Sequence, residues 1–506
     1  MQNVLNETVI LKQTLKDRGI CVIIPTYNNA GTIADVVTRA LARCDDVIVV
    51  CDGCTDGTAD ILRSLPLRPD IVEIPDNRGK GAALKAGFRH ALEKGFSYAI
   101  TLDGDGQHFP EDIPVLLQAN IDNPGALIVG KRKGMENVCR KGGSKFANTF
   151  SNFWFTVQTW HHLEDTQSGY RLYPLKKLHF IGCLTHRYEA ELELLVFASW
   201  NGVKIVSVPV SVIYQPEGER VSHFRPVRDF MRISLLNVIL CVLALTYGLP
   251  MAIFRHLFIL LRSVYALCFF SISSMFILTP AIFLYLSIGG MSEKKKENLH
   301  RIICASFRFI LQRHGIPGIK FTLGNPSGED FSKPSIIICN HQSHLDLVPI
   351  LALTPKLIIL TNDWVWNSPF YGYIIHHADF FPVSRGVESI LPELKELVRK
   401  GYSIAIFPES TRSADCRIGR FHKGAFYLAE VLEMDMVPIV LYGTGKALPK
   451  HGRYLRKWPV HMEIGARISP QEQDEMGTGC KERASAARKR YISWYRKISN
   501  RMEQNV

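Results

Sequence analysis

Two clusters of polar residues in this chain of 506 residues combine the types and the spacing that catalysis requires. In the N-terminal half, Asp103-Gly104-Asp105 follows the apolar run Tyr98–Leu102. Two carboxylates at the end of a strand can bind one divalent cation together with a diphosphate. The cation would offset the negative charge on a departing nucleotide. The cluster therefore predicts a metal site at Asp103 and Asp105 that supports transfer of a group from a nucleotide.

The second cluster, Asn340–Asp346, follows the apolar run Ile336–Cys339. Acyl transfer to a hydroxyl needs a base, and histidine is suited to this because its pKa lies near neutrality. A carboxylate bonded to the other ring nitrogen fixes the tautomer and stabilises the imidazolium. Five positions turn about 140° around a regular helix. We therefore expect His341 in the turn before a helix and Asp346 inside that helix, with the substrate hydroxyl as the nucleophile.

Three further polar clusters adjoin apolar runs in the first 130 residues. They are Pro25-Thr26-Tyr27-Asn28, the segment Asp52–Thr58 and the segment Asn77–Gly81. In a largely parallel sheet, loops at the carboxyl ends of the strands meet at one edge and bind ligands there. Pro25, Tyr27 and Asn28 could hold a base, and Lys80 at the start of a helix could meet phosphate together with backbone N–H groups.

The order of these motifs resembles a known family. IIPTYNNAGTI, VVCDGCTDGT, DNRGKGAALKAGF and TLDGDGQHFPED are similar to family 2 glycosyltransferases with the GT-A fold, nearest the dolichol-phosphate mannose synthase branch. The resemblance covers roughly residues 18–230. It implies that Asp52 contacts the nucleoside of a nucleotide-sugar and that Asp103 lies near ribose and phosphate. It also implies that Asp105 binds Mg²⁺ or Mn²⁺ and is a catalytic residue.

Downstream segments extend the same resemblance to the acceptor side. Residues 165–171, DTQSGYR, resemble the family's acceptor segment, which suggests acceptor-binding roles for Asp165, Gln167 and Arg171. Glu193 is our first choice for the family's inward-facing acidic residue and Glu191 our second, against the alternative of a solvated helix face. Arg225, just before an apolar segment, could bind a lipid phosphate or the donor diphosphate, or simply anchor the chain at a membrane interface.

A second resemblance covers about residues 295–470. Three blocks follow the His341 cluster in order: FPVSRG at 381–386, FPESTRS at 407–413 and VPIV at 437–440. The order resembles the lysophosphatidic acid and glycerolipid acyltransferase family, with its HX4D motif. This resemblance implies that His341 is the base and Asp346 its partner, and that Arg385, Glu409 and Arg412 bind the acceptor. One departure is Ser410, which occupies the place of a glycine, so we do not transfer glycerol phosphate as the acceptor.

These motifs require two α/β domains with an apolar segment between them. Strand-like runs alternate with helical stretches in both halves, which favours sheets with helices on both faces. Residues 233–254 and 263–288 carry no charge, and each is long enough to span a bilayer. We predict a GT-A, Rossmann-like domain over 1–230, a membrane-associated helical hairpin over 231–290 and an acyltransferase domain over 291–506. Arg255 and Arg262 in the expected connection leave a shallow, non-spanning hairpin open.

The net charge of +13 is unevenly distributed. Residues 1–230 contain 26 Lys and Arg and 26 Asp and Glu, whereas residues 290–506 contain 31 against 21. A basic domain beside an apolar segment suggests an anionic membrane surface or an acidic acyl carrier. Nucleic acid is not expected as a partner, because no nucleic-acid motif accompanies the charge.

Together these features predict a bifunctional enzyme on the cytoplasmic face of the cell (inner) membrane. It would transfer a sugar from a nucleotide-sugar to a lipid-type acceptor, and an acyl chain from acyl carrier protein or acyl-CoA to a hydroxyl. The pairing loosely resembles that of aryl-polyene and flexirubin-type lipid clusters. One alternative is a polyprenyl-phosphate glycosyltransferase fused to a phospholipid-forming lysophosphatidic acid acyltransferase. Another is a membrane scaffold with one inactive domain.

Overall fold

The structure is a computed structural model that describes residues 2–133, 143–178, 185–213, 226–271, 279–311, 319–368 and 372–503. The described residues form two compact units. The first ends at Arg255, with Glu503 added from the C-terminal helix, and the second runs from His256 to Met502.

The first unit is built on a seven-stranded sheet of order β3-β2-β1-β4-β6-β5-β7. Only β6 is antiparallel to its neighbours, which are β4 and β5. The sequence predicts five strand-like runs in this half, and each falls on one of β1 to β5, which confirms the α/β fold class. The runs are Ile20–Ile24, Val47–Val50, Ile71–Ile74, Tyr98–Leu102 and Leu127–Val129. The strands are β1 (Ile20–Thr26), β2 (Val47–Asp52), β3 (Asp70–Ile74), β4 (Tyr98–Thr101), β5 (Leu127–Arg132), β6 (Arg171–Pro174) and β7 (Ile205–Val210).

Helices cover both faces of this sheet. The helix that follows β1 buries Ile33, Val36, Val37, Ala40 and Leu41, the spacing of a single apolar face. The helices are α1 (Gln2–Asp17), α2 (Ile33–Arg43), α3 (Thr58–Ser64), α4 (Lys80–Glu93), α5 (Ile113–Asp122), α6 (Gly143–Thr159), α7 (Leu175–Leu178), α8 (Glu189–Trp200), α9 (Pro226–Leu243) and α10 (Leu249–Ser271).

The second unit contains another seven-stranded sheet, of order β11-β10-β12-β9-β13-β14-β8. Its central strand is buried along its whole length, as parallel strands covered on both faces are. The strands are β8 (Phe321–Gly324), β9 (Ile336–Cys339), β10 (Leu357–Thr361), β11 (Phe381–Pro382), β12 (Ser403–Ile406), β13 (Met436–Tyr442) and β14 (Val460–Ile464). The pair β13–β14 is antiparallel. The sequence predicts four strand-like runs in this half, which lie on β9, β10, β12 and β13: Ile336–Cys339, Leu357–Leu360, Ser403–Phe407 and Val437–Leu441.

The helices of the second unit include one correction. Asp346 was expected inside a helix, but it ends a 3-10 turn at His344–Asp346, and the regular helix begins only at Leu347. The helices are α11 (Thr279–Ser287), α12 (Glu293–Phe309), α13 (Leu347–Leu351), α14 (Asp363–Trp366), α15 (Gly372–His377), α16 (Val387–Arg399), α17 (Gly424–Val431), α18 (Thr444–Ala447), α19 (Pro470–Glu475) and α20 (Cys480–Glu503).

The apolar segment differs from the predicted hairpin in one respect. The chain is helical from Pro226 to Ser271, with a π-helical turn at Ala244–Gly248, so residues 255–262 are helix and not a connection. Arg255 donates to Trp200 O at 3.0 Å, and Arg262 donates to Leu455 O. Each guanidinium thus finds a carbonyl within its own unit, which removes the need for a solvated turn. By length and composition, the helical stretch Phe230–Phe269 is apolar enough to cross a membrane.

Candidate active sites

The first site centres on Lys80, which lies between two carboxylates. Its Nζ is 2.7 Å from Asp103 Oδ1 and 3.0 Å from Glu191 Oε2. Lys80 begins α4, Asp103 follows β4 and Glu191 lies in the first turn of α8, so three elements converge at the carboxyl edge of the sheet. Burial alone would lower the pKa of Lys80, but the charges of Asp103 and Glu191 outweigh it and raise that pKa. Lys80 is therefore a partly buried ammonium held between two carboxylates.

Asp52 holds the loop that precedes α4. Its two carboxylate oxygens accept from Arg78 N at 2.9 Å and from Gly79 N at 2.7 Å. Gly53 makes this close approach possible, because a Cβ there would lie 2.4 Å from Asn77 N and its φ is +69°. Asp52 thus shapes the proposed phosphate loop, and its contact with a nucleoside stays a prediction.

The segment proposed to hold the base lies where β1 ends. Pro25 is buried in the strand, Tyr27 is half-buried, and Asn28 has a positive φ of 51°. Asn28 Oδ1 accepts from Thr55 N at 2.8 Å, which ties this loop to the one after β2. The two strand-end loops therefore form one wall of the site.

Asp105 supplies the second carboxylate expected to bind metal. It is half-buried, and its Oδ1 accepts from Gln107 N at 3.0 Å. Oxygen donors of this kind suit Mg²⁺ or Mn²⁺, and Mg²⁺ is commonly held by one or two carboxylates plus substrate phosphates and water. Within the described ranges no cluster of three His, Cys, Asp or Glu could hold a metal alone. Asp103 and Asp105 therefore fit a cation that arrives with the diphosphate.

The residues proposed for the acceptor side have different surroundings. Asp165 is buried and pairs with Arg132 through both oxygens, at 2.8 and 2.9 Å. Arg171 is fully buried and donates to the carbonyl oxygens of Thr166, Ser168 and Glu191. Gln167 is exposed and donates to Ala147 O. Gln167 is thus the one of these three side chains with open access to an acceptor, and Arg225 lies outside the described residues.

The two acidic residues of α8 are distinguished by their contacts. Glu193 is fully buried and accepts from Thr185 through both its backbone N–H, at 2.9 Å, and its hydroxyl. Glu191 instead faces Lys80. The geometry favours our second choice, Glu191, as the residue in the site. The sequence could not separate them, because Glu189, Glu191 and Glu193 alternate along one helix.

His108 is a buried residue near this site that the sequence analysis missed. Burial lowers its pKa to about 4, so the imidazole is neutral. Its ring packs against Tyr170 at 5.3 Å, and its Nδ1 has no hydrogen-bond partner among the described residues. Its position three residues after Asp105 was the only signal that the sequence contained.

In the second site, His341 and Asp346 meet as predicted. His341 Nδ1 is 2.9 Å from Asp346 Oδ2, which leaves Nε2 as the nitrogen that can face a substrate. The imidazole stacks on Phe407, with ring centroids 4.3 Å apart and an interplanar angle of 27°. Hydrogen bond and stacking together set the orientation of the ring.

Asp346 is itself held in place. Its Oδ2 also accepts from Gln342 N at 2.6 Å and from Ser343 N at 2.8 Å. Ser343 caps the 3-10 turn by accepting from Leu345 N, and its hydroxyl donates to Leu448 O at 2.8 Å. Ser343 therefore has a structural role, which agrees with a substrate hydroxyl as nucleophile.

Of the three residues proposed for the acyl acceptor, Glu409 lies nearest to the dyad. Its carboxylate accepts from His341 N at 3.0 Å and from Gly419 N at 2.8 Å, and burial raises its pKa. Arg412 is half-buried and its charge helps burial to lower the pKa of His344. Arg385 is exposed and lies 3.5 Å from Glu393. Glu409 thus holds the loop that carries His341. Of the three residues, Arg412 and Arg385 carry the positive charge that could bind an acceptor phosphate.

Two local features complete this site. Ser410 has a φ of +57°, the left-handed conformation in which glycine is favoured. Serine thus adopts here a backbone conformation that glycine adopts at a lower cost. A small apolar pocket lies against the start of α13, lined by Leu311, Ile319, Phe321, Leu345, Val348, Pro349, Thr444 and Val460.

Comparisons with known proteins agree with this geometry. Residues 21–178 match the family model "Glycosyl transferase family 2", and residues 309–442 match the family model "Acyltransferase". Polyprenol monophosphomannose synthase of Mycolicibacterium smegmatis is 34% identical over 205 residues, which are 38% of this chain and 76% of that protein. The chloroplastic 1-acyl-sn-glycerol-3-phosphate acyltransferase of Arabidopsis thaliana is 36% identical over 141 residues, 25% of this chain. The chain spans only 40% of that relative's length.

Among solved structures, the 1-acyl-sn-glycerophosphate acyltransferase of Thermotoga maritima aligns with a TM-score of 0.38 and 18% identity, over 47% of this chain and 98% of the other. Glucosyl-3-phosphoglycerate synthase of Mycobacterium tuberculosis aligns with a TM-score of 0.36 and 20% identity, over 47% and 82%. Sequence matches to both halves, and not these two alignments, carry the assignment. The chain belongs to glycosyltransferase family 2 through its N-terminal half, and residues 309–442 are similar to the acyltransferase family.

Proposed function

We propose that this protein is a membrane enzyme with two reactions. The first transfers a sugar from a nucleotide-sugar to a lipid-type acceptor. The second transfers an acyl chain from acyl carrier protein or acyl-CoA to a hydroxyl. The observation that carries the proposal is that each unit contains its own polar site, the Lys80 cluster in one and the His341–Asp346 dyad in the other.

In the first reaction the chain's part is to hold the donor diphosphate. Lys80 provides positive charge to the phosphates, and Asp52 holds the loop that carries it. Asp103 and Asp105 would hold Mg²⁺ or Mn²⁺, which would stabilise the charge on the leaving nucleotide. Lys80 and Asp103 are partly buried, which strengthens each of these interactions relative to bulk water.

In the second reaction His341 accepts the proton of the acceptor hydroxyl through Nε2 as the oxygen attacks the acyl carbonyl. Asp346 keeps the proton of the neutral imidazole on Nδ1 and stabilises the imidazolium that forms. The thiol of the carrier leaves as the tetrahedral intermediate collapses, and the imidazolium returns the proton to it.

A second candidate follows from the relatives' names. One is a polyprenol monophosphomannose synthase and another a 1-acyl-sn-glycerol-3-phosphate acyltransferase. Both names imply phosphate-bearing lipids as acceptors. This candidate therefore joins a polyprenyl-phosphate glycosyltransferase to a lysophosphatidic acid acyltransferase, with Arg385 and Arg412 as the phosphate-binding residues.

The apolar helix supports attachment to a membrane, which we place at the cytoplasmic face of the cell membrane. One face of α9 buries Leu236 and Leu240 against the first unit, while Leu235, Val238 and Val242 on its other side are more than half exposed. Because Arg255 and Arg262 each bond to a carbonyl of their own unit, we favour a helix that lies along the membrane surface. The protein should then stay with membranes after a high-salt wash and need detergent for release.

Paired assays on the full chain in detergent test the proposal. Labelled nucleotide-sugars with membrane lipid extract report sugar transfer, and labelled acyl-CoA or acyl carrier protein reports acyl transfer. We expect both activities, with Asp105→Ala removing only the first and His341→Ala only the second. An enzyme with one activity, unaffected by the variant in the other unit, would instead identify a scaffold with one inactive domain.

A further inference from the structure

Neither family match gives a role to the contact between Lys80 and Glu191. We propose that in the donor-free enzyme Lys80 occupies the cation position on Asp103, and that Glu191 is the positioning residue that receives Lys80 when a divalent cation displaces it. This inference rests on the proposed metal-dependent donor.

The first step is that Lys80 blocks a metal ligand. Its ammonium lies 2.7 Å from Asp103 Oδ1, the distance of a direct ion pair. A divalent cation on the same oxygen would face this positive charge at contact distance, where repulsion in a buried site is large. Lys80 must therefore leave Asp103 before the metal can bind there.

The second step is that the surroundings limit where Lys80 can go. A Cβ on Gly169 would lie 2.6 Å from Asp103 Oδ2 and 2.7 Å from Lys80 Nζ, so backbone already lines that side of the pair. Glu191 is the other partner of Lys80, at 3.0 Å. A short movement of the ammonium along this line keeps it paired throughout, which avoids an isolated buried charge.

The third step is that Glu191 is built to receive it. Its side chain is buried, and its Oε1 accepts no hydrogen bond from any residue that the structure describes. Arg171 holds the Glu191 carbonyl at 2.9 Å, and the start of α8 packs on the start of α4, where Ala82 N donates to His186 O at 2.9 Å. The helix positions a carboxylate with one spare oxygen directly beside Lys80.

Binding of Mn²⁺ to the purified full-length protein without nucleotide tests the exchange, with free Mn²⁺ measured by its electron paramagnetic resonance signal. Lys80→Met should bind Mn²⁺ about tenfold more tightly, because the competing cation is gone. Glu191→Gln should weaken binding by about fivefold, since Lys80 then has no second partner. In the Lys80→Met background, Glu191→Gln should change the affinity by less than about twofold, which makes the two effects non-additive.

Glu189→Gln is the matched control, because Glu189 is also buried in the first turn of α8 and pairs with no lysine in the described structure. It should leave Mn²⁺ affinity within about twofold. If Glu191→Gln weakens Mn²⁺ binding equally in the wild-type protein and in Lys80→Met, the Glu191 charge attracts the cation directly and does not act through Lys80. That result would overturn the proposal. Unchanged affinity in Lys80→Met, including no binding by either protein, would also overturn it.

The double variant Lys80→Met with Glu191→Gln guards against misfolding, since it removes one charge of each sign. If wild-type sugar transfer proves independent of metal, the proposed function fails. If transfer needs metal but the Mn²⁺ effects are additive, only the exchange fails.

Discussion

The two candidate active sites differ in how far each is completed by the protein alone. In the second unit, Asp346 holds His341, two backbone N–H groups hold Asp346, and Phe407 supports the ring. In the first unit, Asp103 is paired with a lysine and Glu191 keeps an oxygen without a partner among the described residues. General-base catalysis needs a fixed imidazole before the substrate arrives, whereas a diphosphate site is completed by charges that the donor brings. The first site should therefore need a divalent cation and the donor diphosphate to reach its working arrangement, whereas the His341–Asp346 pair should be formed without any ligand.

The largest effect that could break this comparison is loss of the metal site. Asp105→Ala should abolish sugar transfer, because one of two carboxylates for the cation is removed, and it should leave acyl transfer intact. Both rates are measured on the same preparation, with and without a chelator. Undiminished sugar transfer in excess chelator would contradict the metal assignment.

The next effect tests the preformed dyad. His341→Ala should lower acyl transfer by at least about 10²–10⁴-fold, the usual contribution of a general base, while sugar transfer continues. Asp346→Asn should also be severely impaired, because an amide favours the wrong imidazole tautomer. Initial rates with labelled acyl donor measure both.

Quenching the same reaction distinguishes direct transfer from a covalent route. We expect no label on the protein, since Ser343 caps a turn and the nucleophile is the acceptor's hydroxyl. A kinetically competent acyl-enzyme on Ser343 or a neighbour would overturn direct transfer.

A smaller effect concerns acid stability of the second unit. His300 is buried, and burial lowers its pKa to about 4. In the unfolded chain a histidine has a pKa near 6.5. Between about pH 6.5 and pH 4, His300 is therefore protonated in the unfolded chain and neutral in the folded unit. Stability should thus be constant above about pH 7 and fall as the pH drops from about 6.5 towards 4, by up to about 3 kcal/mol.

Acyl transfer that remains after urea incubation, compared between pH 5 and pH 8, measures this loss in the second unit. His300→Gln keeps a hydrogen-bond donor but cannot titrate, so it should show a smaller difference between the two pH values. An equal difference in the variant would assign the acid sensitivity to other groups.

The smallest effect concerns Ser410. Ser410→Gly should stabilise the second unit by about 0.5–1 kcal/mol, because glycine adopts the observed φ of +57° at a lower cost than serine. Chemical unfolding followed by acyl-transfer activity measures it, with Ser413→Gly in the same loop as the control. Destabilisation by Ser410→Gly would mean that its side chain makes a compensating contact.

Much of both sheets could be predicted because their strands are continuous apolar runs. The strand Ile336–Cys339 is buried on both faces, so all four of its residues are apolar and the sequence shows it as a continuous apolar run. The strand Arg171–Pro174 was missed, since four residues that begin with a charge give no such signal. The helical path through residues 255–262 was missed as well, because two arginines in an apolar segment look like a solvated connection until their carbonyl partners are known.

The sequence by itself determined the two chemistries, because the spacing of Asp103 and Asp105, and of His341 and Asp346, is local and follows a strand in each case. Only the tertiary structure decided which residues complete each site. Lys80, Asp103 and Glu191 are separated by 23 and 88 positions along the chain. Only the tertiary packing brings both carboxylates within 3.0 Å of the Lys80 ammonium. The choice of Glu191 over Glu193 depends on which side of one helix faces the lysine, and that rotation is set by contacts between elements that no local pattern contains.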